Sequence, residues 1–83
     1  MTDTISAPAI TRMIDARGSF CPGPLMELIR GIREAAVGDV LSVYSSDRGS
    51  KTDIPKWIGK AGHRLVDLET REGYDEIIVE KTH

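Results

Sequence analysis

Apolar residues recur along the chain with two different periods, and the order of those periods predicts the fold. Ile10, Arg12 and Ile14 alternate with Thr11, Met13 and Asp15, a strand-like period of two that runs into a turn at Gly18. Next, Leu25, Leu28, Ile29, Ile32 and Ala36 fall at helical spacing, with Glu27, Arg30 and Glu34 on other faces of the same cylinder. Pro22 and Pro24 lack a backbone N–H and suit a first helical turn, where those donors have no intrahelical partner. The helix is therefore expected to open with Cys21 as N-cap and Pro22 as its first residue. Gly31 costs about 1 kcal/mol of helix propensity relative to alanine but does not interrupt the apolar stripe. Val37-Gly38-Asp39 supplies the stop.

Val40 to Tyr44 is rich in β-branched and aromatic residues and reads as a strand, with Leu41 and Val43 on one face and Val40, Ser42 and Tyr44 on the other. Ile54, Trp57, Ile58 and Ala61 mark a second, shorter amphipathic helix. Pro55 belongs near a first turn, which favours Thr52 or Asp53 as N-cap, and Gly59 and Gly62 end the helix after two or three turns. From His63 to Thr70, Val66 and Leu68 can point inward. Glu72-Gly73 offers a turn, and Tyr74 to Lys81 forms a last strand with Ile77 and Val79 inward. The resulting βαβαββ order predicts an α+β, two-layer α/β sandwich: a four-stranded mixed sheet with two helices on one face. Residues 1–9 show no sustained period and read as a flexible N-terminal arm, leaving 10–83 as a single domain.

Composition narrows what such a domain can do. A chain of 83 residues buries only about 60% of its unfolded surface, so room for a deep pocket is small. A formal charge of -2 with 5% aromatic residues lacks the basic stripe and stacking platform of a nucleic-acid binder, so no direct nucleic-acid contact is expected. No apolar run approaches the ~20 residues of a membrane span, and no signal-type amino terminus is present, so the expected compartment is the cytoplasm. One cysteine cannot close an intramolecular disulfide. With His63 and His83 as the only histidines, a thiolate-rich zinc site is out of reach. No cofactor is implied, and a monomer is expected.

Cys21 is the leading chemical candidate. At a helix N-terminus its sulfur would sit beside the Gly23 amide and the positive end of the helix dipole, both of which stabilise a thiolate. The alternative is a buried thiol acting as a small hydrophobe, and the double-proline helix start weighs against it. Thioredoxin-like exchange needs a resolving cysteine that the chain does not have. Around Cys21 the plainer readings are preferred. Asp15 makes local backbone hydrogen bonds, Gly18 serves a turn of positive φ, Asp53 caps a helix and Trp57 packs in the core. His63 is structural or on the surface, and His83 is terminal and mobile. Arg17, Arg48 and Lys51 are placed in loops, as solvated surface or as the border of the thiol and a docking surface. Phe20 and Met26 form an apolar collar about the cysteine or complete the core.

Four elements together resemble the TusA/SirA-like family of small sulfur-carrier proteins: Asp15-x-x-Gly18-x-x-Cys21-Pro22-x-Pro24, Gly38-Asp39 before the second strand, Asp53-Ile54-x-x-Trp57, and Gly62-His63 entering the third strand. The resemblance runs from about Ile10 to Lys81. It implies four strands and two helices, and it implies that Cys21 accepts sulfane sulfur as a persulfide. The donor would be a cysteine desulfurase or rhodanese-type protein. The acceptor would be a downstream protein in tRNA thiolation, molybdenum-cofactor maturation or sulfur oxidation. Arg17 and Gly23 occupy variable positions of the motif and inherit no role from it. Two other function classes stay open: a thiol-responsive regulatory or adaptor module without transfer activity, and RNA binding by analogy of fold alone.

Overall fold

The computed structural model describes residues 10–20 and 22–83, so residues 1–9, read above as an arm, and Cys21 lie outside the described residues. The described chain forms β1 (Arg12–Asp15), α1 (Gly23–Glu34), β2 (Val40–Ser45), α2 (Arg48–Ala61), β3 (Arg64–Arg71) and β4 (Tyr74–Glu80). The sheet order is β1-β2-β4-β3, with β1 and β2 parallel and the other pairs antiparallel. This is the mixed, four-stranded α+β arrangement that the periodicity implied.

Register explains where the core lies. Leu41 stands opposite Val79 and Val43 opposite Ile77, so these four side chains share one face of the two central strands. Leu28 and Ile32 of α1 and Ile54 and Ile58 of α2 close over them in one buried cluster. Gly31 is buried against the sheet, where an added Cβ would lie 2.7 Å from Ile14 Cδ1 and 3.1 Å from Leu41 Cδ2. Its propensity cost therefore accompanies a close approach of helix to sheet.

Both helix starts differ from expectation. Pro22, and not Cys21, is the N-cap of α1: its carbonyl accepts the Met26 N–H at 2.9 Å, and Pro24 occupies the first turn as a buried residue. α1 stops at Glu34, before Val37-Gly38-Asp39, because Ala35 is already extended. Lys81 Nζ donates to the carbonyls of Ile32 and Ala35, each at 2.7 Å, and so places a cation on the negative end of the helix.

α2 begins at Arg48, four residues or more before the expected Thr52 or Asp53 cap, and Pro55 lies inside it. Asp47 is the true N-cap. Its Oδ2 accepts from Ser50 N–H at 3.0 Å and from Ser50 Oγ at 3.1 Å, and Ser50 is fully buried. An interior proline forfeits a backbone hydrogen bond and costs roughly 3 kcal/mol in an isolated helix. Burial of Ile54 and Ile58, on either side of Pro55, offsets that cost. Asp53 is consequently a half-buried mid-helix residue. Asp47→Ala is expected to lower stability by about 1 kcal/mol, read as a lower urea midpoint at unchanged slope. An unchanged midpoint would show that the cap contributes nothing.

Candidate functional site

The chain leaves β1 toward α1 through a loop fixed at both ends. Ala16 N–H donates to Tyr44 C=O at 2.9 Å, which continues the ladder beyond Asp15, and the Ala16 side chain is buried. Ser19 N–H returns to Ala16 C=O at 3.2 Å around Gly18, whose φ of 89° confirms the turn role expected of it. Gly18 N–H donates to Ser46 Oγ at 2.9 Å and so ties the loop to the end of β2. The residues bordering Cys21 face outward: Phe20 is 82% exposed and Pro22 is exposed. Met26, one turn into α1, is 59% exposed. Phe20 and Met26 therefore do not complete the core.

The Gly23 amide, expected beside the Cys21 sulfur, can be followed only to its own partner, since Cys21 lies outside the described residues. It donates to Phe20 C=O at 2.6 Å, and Pro24 has no amide to offer. The start of α1 thus presents its dipole to the loop while two of its first-turn positions supply no free N–H.

Asp15 makes the local bond expected of it, accepting from Arg17 N–H at 3.1 Å. It also binds the Arg17 guanidinium with both oxygens, Nε to Oδ1 at 2.9 Å and Nη2 to Oδ2 at 2.8 Å. These side-chain hydrogen bonds, more than the backbone one, hold the Asp15 carboxyl down at about 2. The guanidinium carbon also lies 4.8 Å from the Tyr74 ring centroid and 5.4 Å from that of Tyr44. The sequence reading missed both tyrosines as neighbours of the loop. The one available signal was that Tyr44 faces away from Leu41 and Val43.

Arg48 and Lys51 belong to α2 and not to loops. With Ser46, Thr70, Arg71 and Tyr74 they border an open cleft of about 550 Å³ at the end of the sheet where the loop is tied down. Lys51 Nζ donates to Thr70 Oγ1 at 3.1 Å and lies 3.8 Å from Asp75 Oδ1. Along the outer side of α1, Met26, Glu27, Ile29, Arg30, Arg33 and Glu34 line a second cleft of about 510 Å³, in which Arg30 Nε lies 3.9 Å from Glu34 Oε2.

His63 is at the other end of the molecule. It precedes Arg64, which pairs through Glu80 with Val40 at the start of β2, whereas the loop joins β2 at Tyr44 and Ser46. α2 spans about 20 Å between the two ends. The imidazole therefore has no reach to the thiol segment, in keeping with its structural reading. It stacks on His83 at 4.6 Å and lies 5.9 Å from Trp57, which packs against the core. Burial first, then the charges of His83 and Lys81, push its pKa down. His83, expected to be mobile, is docked: its Nε2 lies 2.6 Å from Ala61 C=O. Among the described residues, no cluster of His, Asp and Glu could hold a metal, and no helix is long and apolar enough to cross a membrane.

The sequence profile described as Sulfurtransferase TusA matches residues 12–81, nearly the whole of the described fold. The chain belongs to the TusA family. Among TusA relatives, a protein of Archaeoglobus fulgidus that is provisionally named a sulfur carrier protein is 52% identical over 69 residues, covering 83% of this chain and 94% of its own. The Sulfur carrier protein TusA of Pseudomonas syringae is 36% identical over 73 residues, covering 88% of this chain and 87% of its own. A crystal structure of a SirA-like protein from Desulfitobacterium hafniense superposes with a TM-score of 0.76 at 24% identity, over 88% of this chain and 100% of that one. That last likeness establishes the fold.

Proposed function

We propose that this TusA-family chain carries sulfane sulfur as a persulfide on Cys21 and relays it from a donor protein to an acceptor protein. The reading rests chiefly on one observation: relatives aligned along most of both chains are named sulfur carrier proteins, and Cys21 is the one cysteine here that could bear the cargo.

In loading, the Cys21 thiolate attacks the terminal sulfur of a donor persulfide. A new S–S bond forms at Cys21 as the donor's S–S bond breaks, and the electron pair of the broken bond leaves on the donor thiolate. In discharge an acceptor thiolate attacks the same terminal sulfur, and Cys21 departs as a thiolate. The sulfur changes partner at a constant oxidation level, so neither step needs an external oxidant or a second local cysteine. A thiolate favoured by the helix dipole assists both steps, as nucleophile in the first and as leaving group in the second.

The exposed Phe20 and Met26 give a partner an apolar foothold beside the thiol, bordered along α1 by the mixed charges of Glu27, Arg30, Arg33 and Glu34. The donor is a cysteine desulfurase or rhodanese-type protein. The acceptor serves a pathway such as tRNA thiolation, molybdenum-cofactor maturation or sulfur oxidation, and the carrier works stoichiometrically, as a monomer, in the reducing cytoplasm.

Incubation with a cysteine desulfurase and L-cysteine, or with a rhodanese and thiosulfate, should add sulfur to the intact mass. A thiol reductant should remove the addition, and alkylation of Cys21 beforehand should prevent it. An unchanged mass with every donor would refute the proposal.

A further inference from the structure

An exposed arginine in a loop normally samples many rotamers and contributes little through a surface ion pair. Arg17 does not behave this way. Both oxygens of Asp15 grip the Nε–Nη2 edge of its guanidinium, whose carbon lies over the rings of Tyr74 and Tyr44. The two rings are 5.3 Å apart and come from the central strands β4 and β2, so the seat is part of the sheet and not of the loop. Asp15 stands opposite Tyr44 in the parallel ladder, which puts carboxylate and aromatic seat on the same outer face. The next residue, Gly18, is tied to Ser46, and Ala16 to Tyr44. Ala16, Arg17 and Gly18 are thereby fastened to the end of β2 and the middle of the sheet, with only Ser19 between them and the exposed Phe20.

We propose that Asp15, Arg17, Tyr44 and Tyr74 form a clamp that positions the segment bearing Cys21 for reaction with a persulfide held on another protein, with Arg17 as the positioning residue. The proposal rests on the carrier reading of Cys21. A small persulfide donor can approach the thiol from many directions, so the angle of the loop matters little to it. A sulfur mounted on a docked protein arrives along one line, and a displacement of about 1 Å then costs up to about 100-fold in rate. The clamp therefore discriminates between donors of different size.

Arg17→Ala is expected to slow loading from a desulfurase with L-cysteine, or from a rhodanese with thiosulfate, by about 10-fold or more, while loading from inorganic polysulfide stays within about 2-fold. Arg17→Lys keeps a cation over the rings but loses the forked pairing, so its rate should fall between the two. Amide exchange at Gly18 and Ser19 should quicken in Arg17→Ala while the core amides of Leu41 and Ile77 keep their protection, which separates a loosened loop from a loosened fold. Equal rates for wild type and Arg17→Ala with the protein donor, or equal losses in both arms, would overturn the proposal. Loading of the wild type by polysulfide alone would overturn it too. A wild type that accepts sulfur in neither arm would instead remove the carrier reading; the exchange measurement would then decide the clamp alone, with unchanged loop exchange refuting it.

Discussion

Cys21→Ser is expected to fold like the wild type and to hold no sulfur, with loading falling from near-stoichiometric to background. The substitution changes one atom, and the described anchors of the surrounding chain are bonds of other residues: Ala16 on Tyr44, Gly18 on Ser46, Gly23 on Phe20 and Met26 on Pro22. The proposed chemistry, by contrast, depends on that atom. A serine hydroxyl has no thiolate to attack a sulfane sulfur near neutral pH and cannot form the S–S bond that carries the cargo. Exposed Phe20 and Met26 remain in place, so the variant should still dock on the donor and compete with the wild type for it. Intact mass after incubation with the donor, circular dichroism and a competition assay check the three parts. Loading of Cys21→Ser to the wild-type extent would place the cargo elsewhere. A thiol-responsive adaptor makes a different prediction, that the set of bound partners changes between the reduced, persulfidated and serine forms.

The order of elements was legible because each inward face repeats with its own period: Leu28 and Ile32 on one helix, and Leu41 with Val43 and Ile77 with Val79 on paired strands, meet in one core. The start of α2 was not legible. Pro55 is the loudest local signal in that stretch and argues for a late start, whereas the early start depends on Asp47 capping a buried Ser50, a gain that exists only after the helix has packed. The site divides in the same way. Gly18 and the Asp15 backbone contact are local and were read from local chemistry. The aromatic seat of Arg17 joins residues of β2 and β4 that are distant in sequence, and only strand pairing brings them together. Proline spacing signalled the helix start at α1, but the partner of the Gly23 amide, Phe20 C=O, is set by the turn that precedes the helix. His83 resembles Arg17, since its docking needs the return of β4 to the end of α2.

Glu76→Ala is expected to cost about 3 kcal/mol at neutral pH, a large part of the stability of so small a fold. Glu76 is 6% exposed on the outer face of β4, opposite Tyr44. Ser42 Oγ donates to its Oε2 at 2.6 Å, and Arg71 Nη2 donates to its Oε1 at 2.7 Å. Removing the carboxylate leaves the Ser42 hydroxyl, itself fully buried, without its acceptor. Arg71 is half exposed and recovers water, so most of the loss falls on the serine and on the cavity. Glu76→Gln keeps an acceptor for Ser42 but turns a donor toward Arg71, and should cost roughly half as much. The Ser42 hydrogen bond, followed by that of Arg71, holds the Glu76 pKa below its ordinary value of 4.5. The unfolded chain therefore takes up its proton first as the solution is acidified. The stabilisation is complete above the ordinary value and is lost as pH falls through the lower, folded one. Asp15, held at about 2, adds to the same acid limb. Urea midpoints measured from neutral pH down through this window should thus fall more steeply for the wild type than for Glu76→Gln, and the gap between the two should narrow in acid. Parallel curves would mean that folding leaves the Glu76 pKa unchanged, and a wild type that gains on the glutamine variant in acid would mean that the carboxyl is buried neutral.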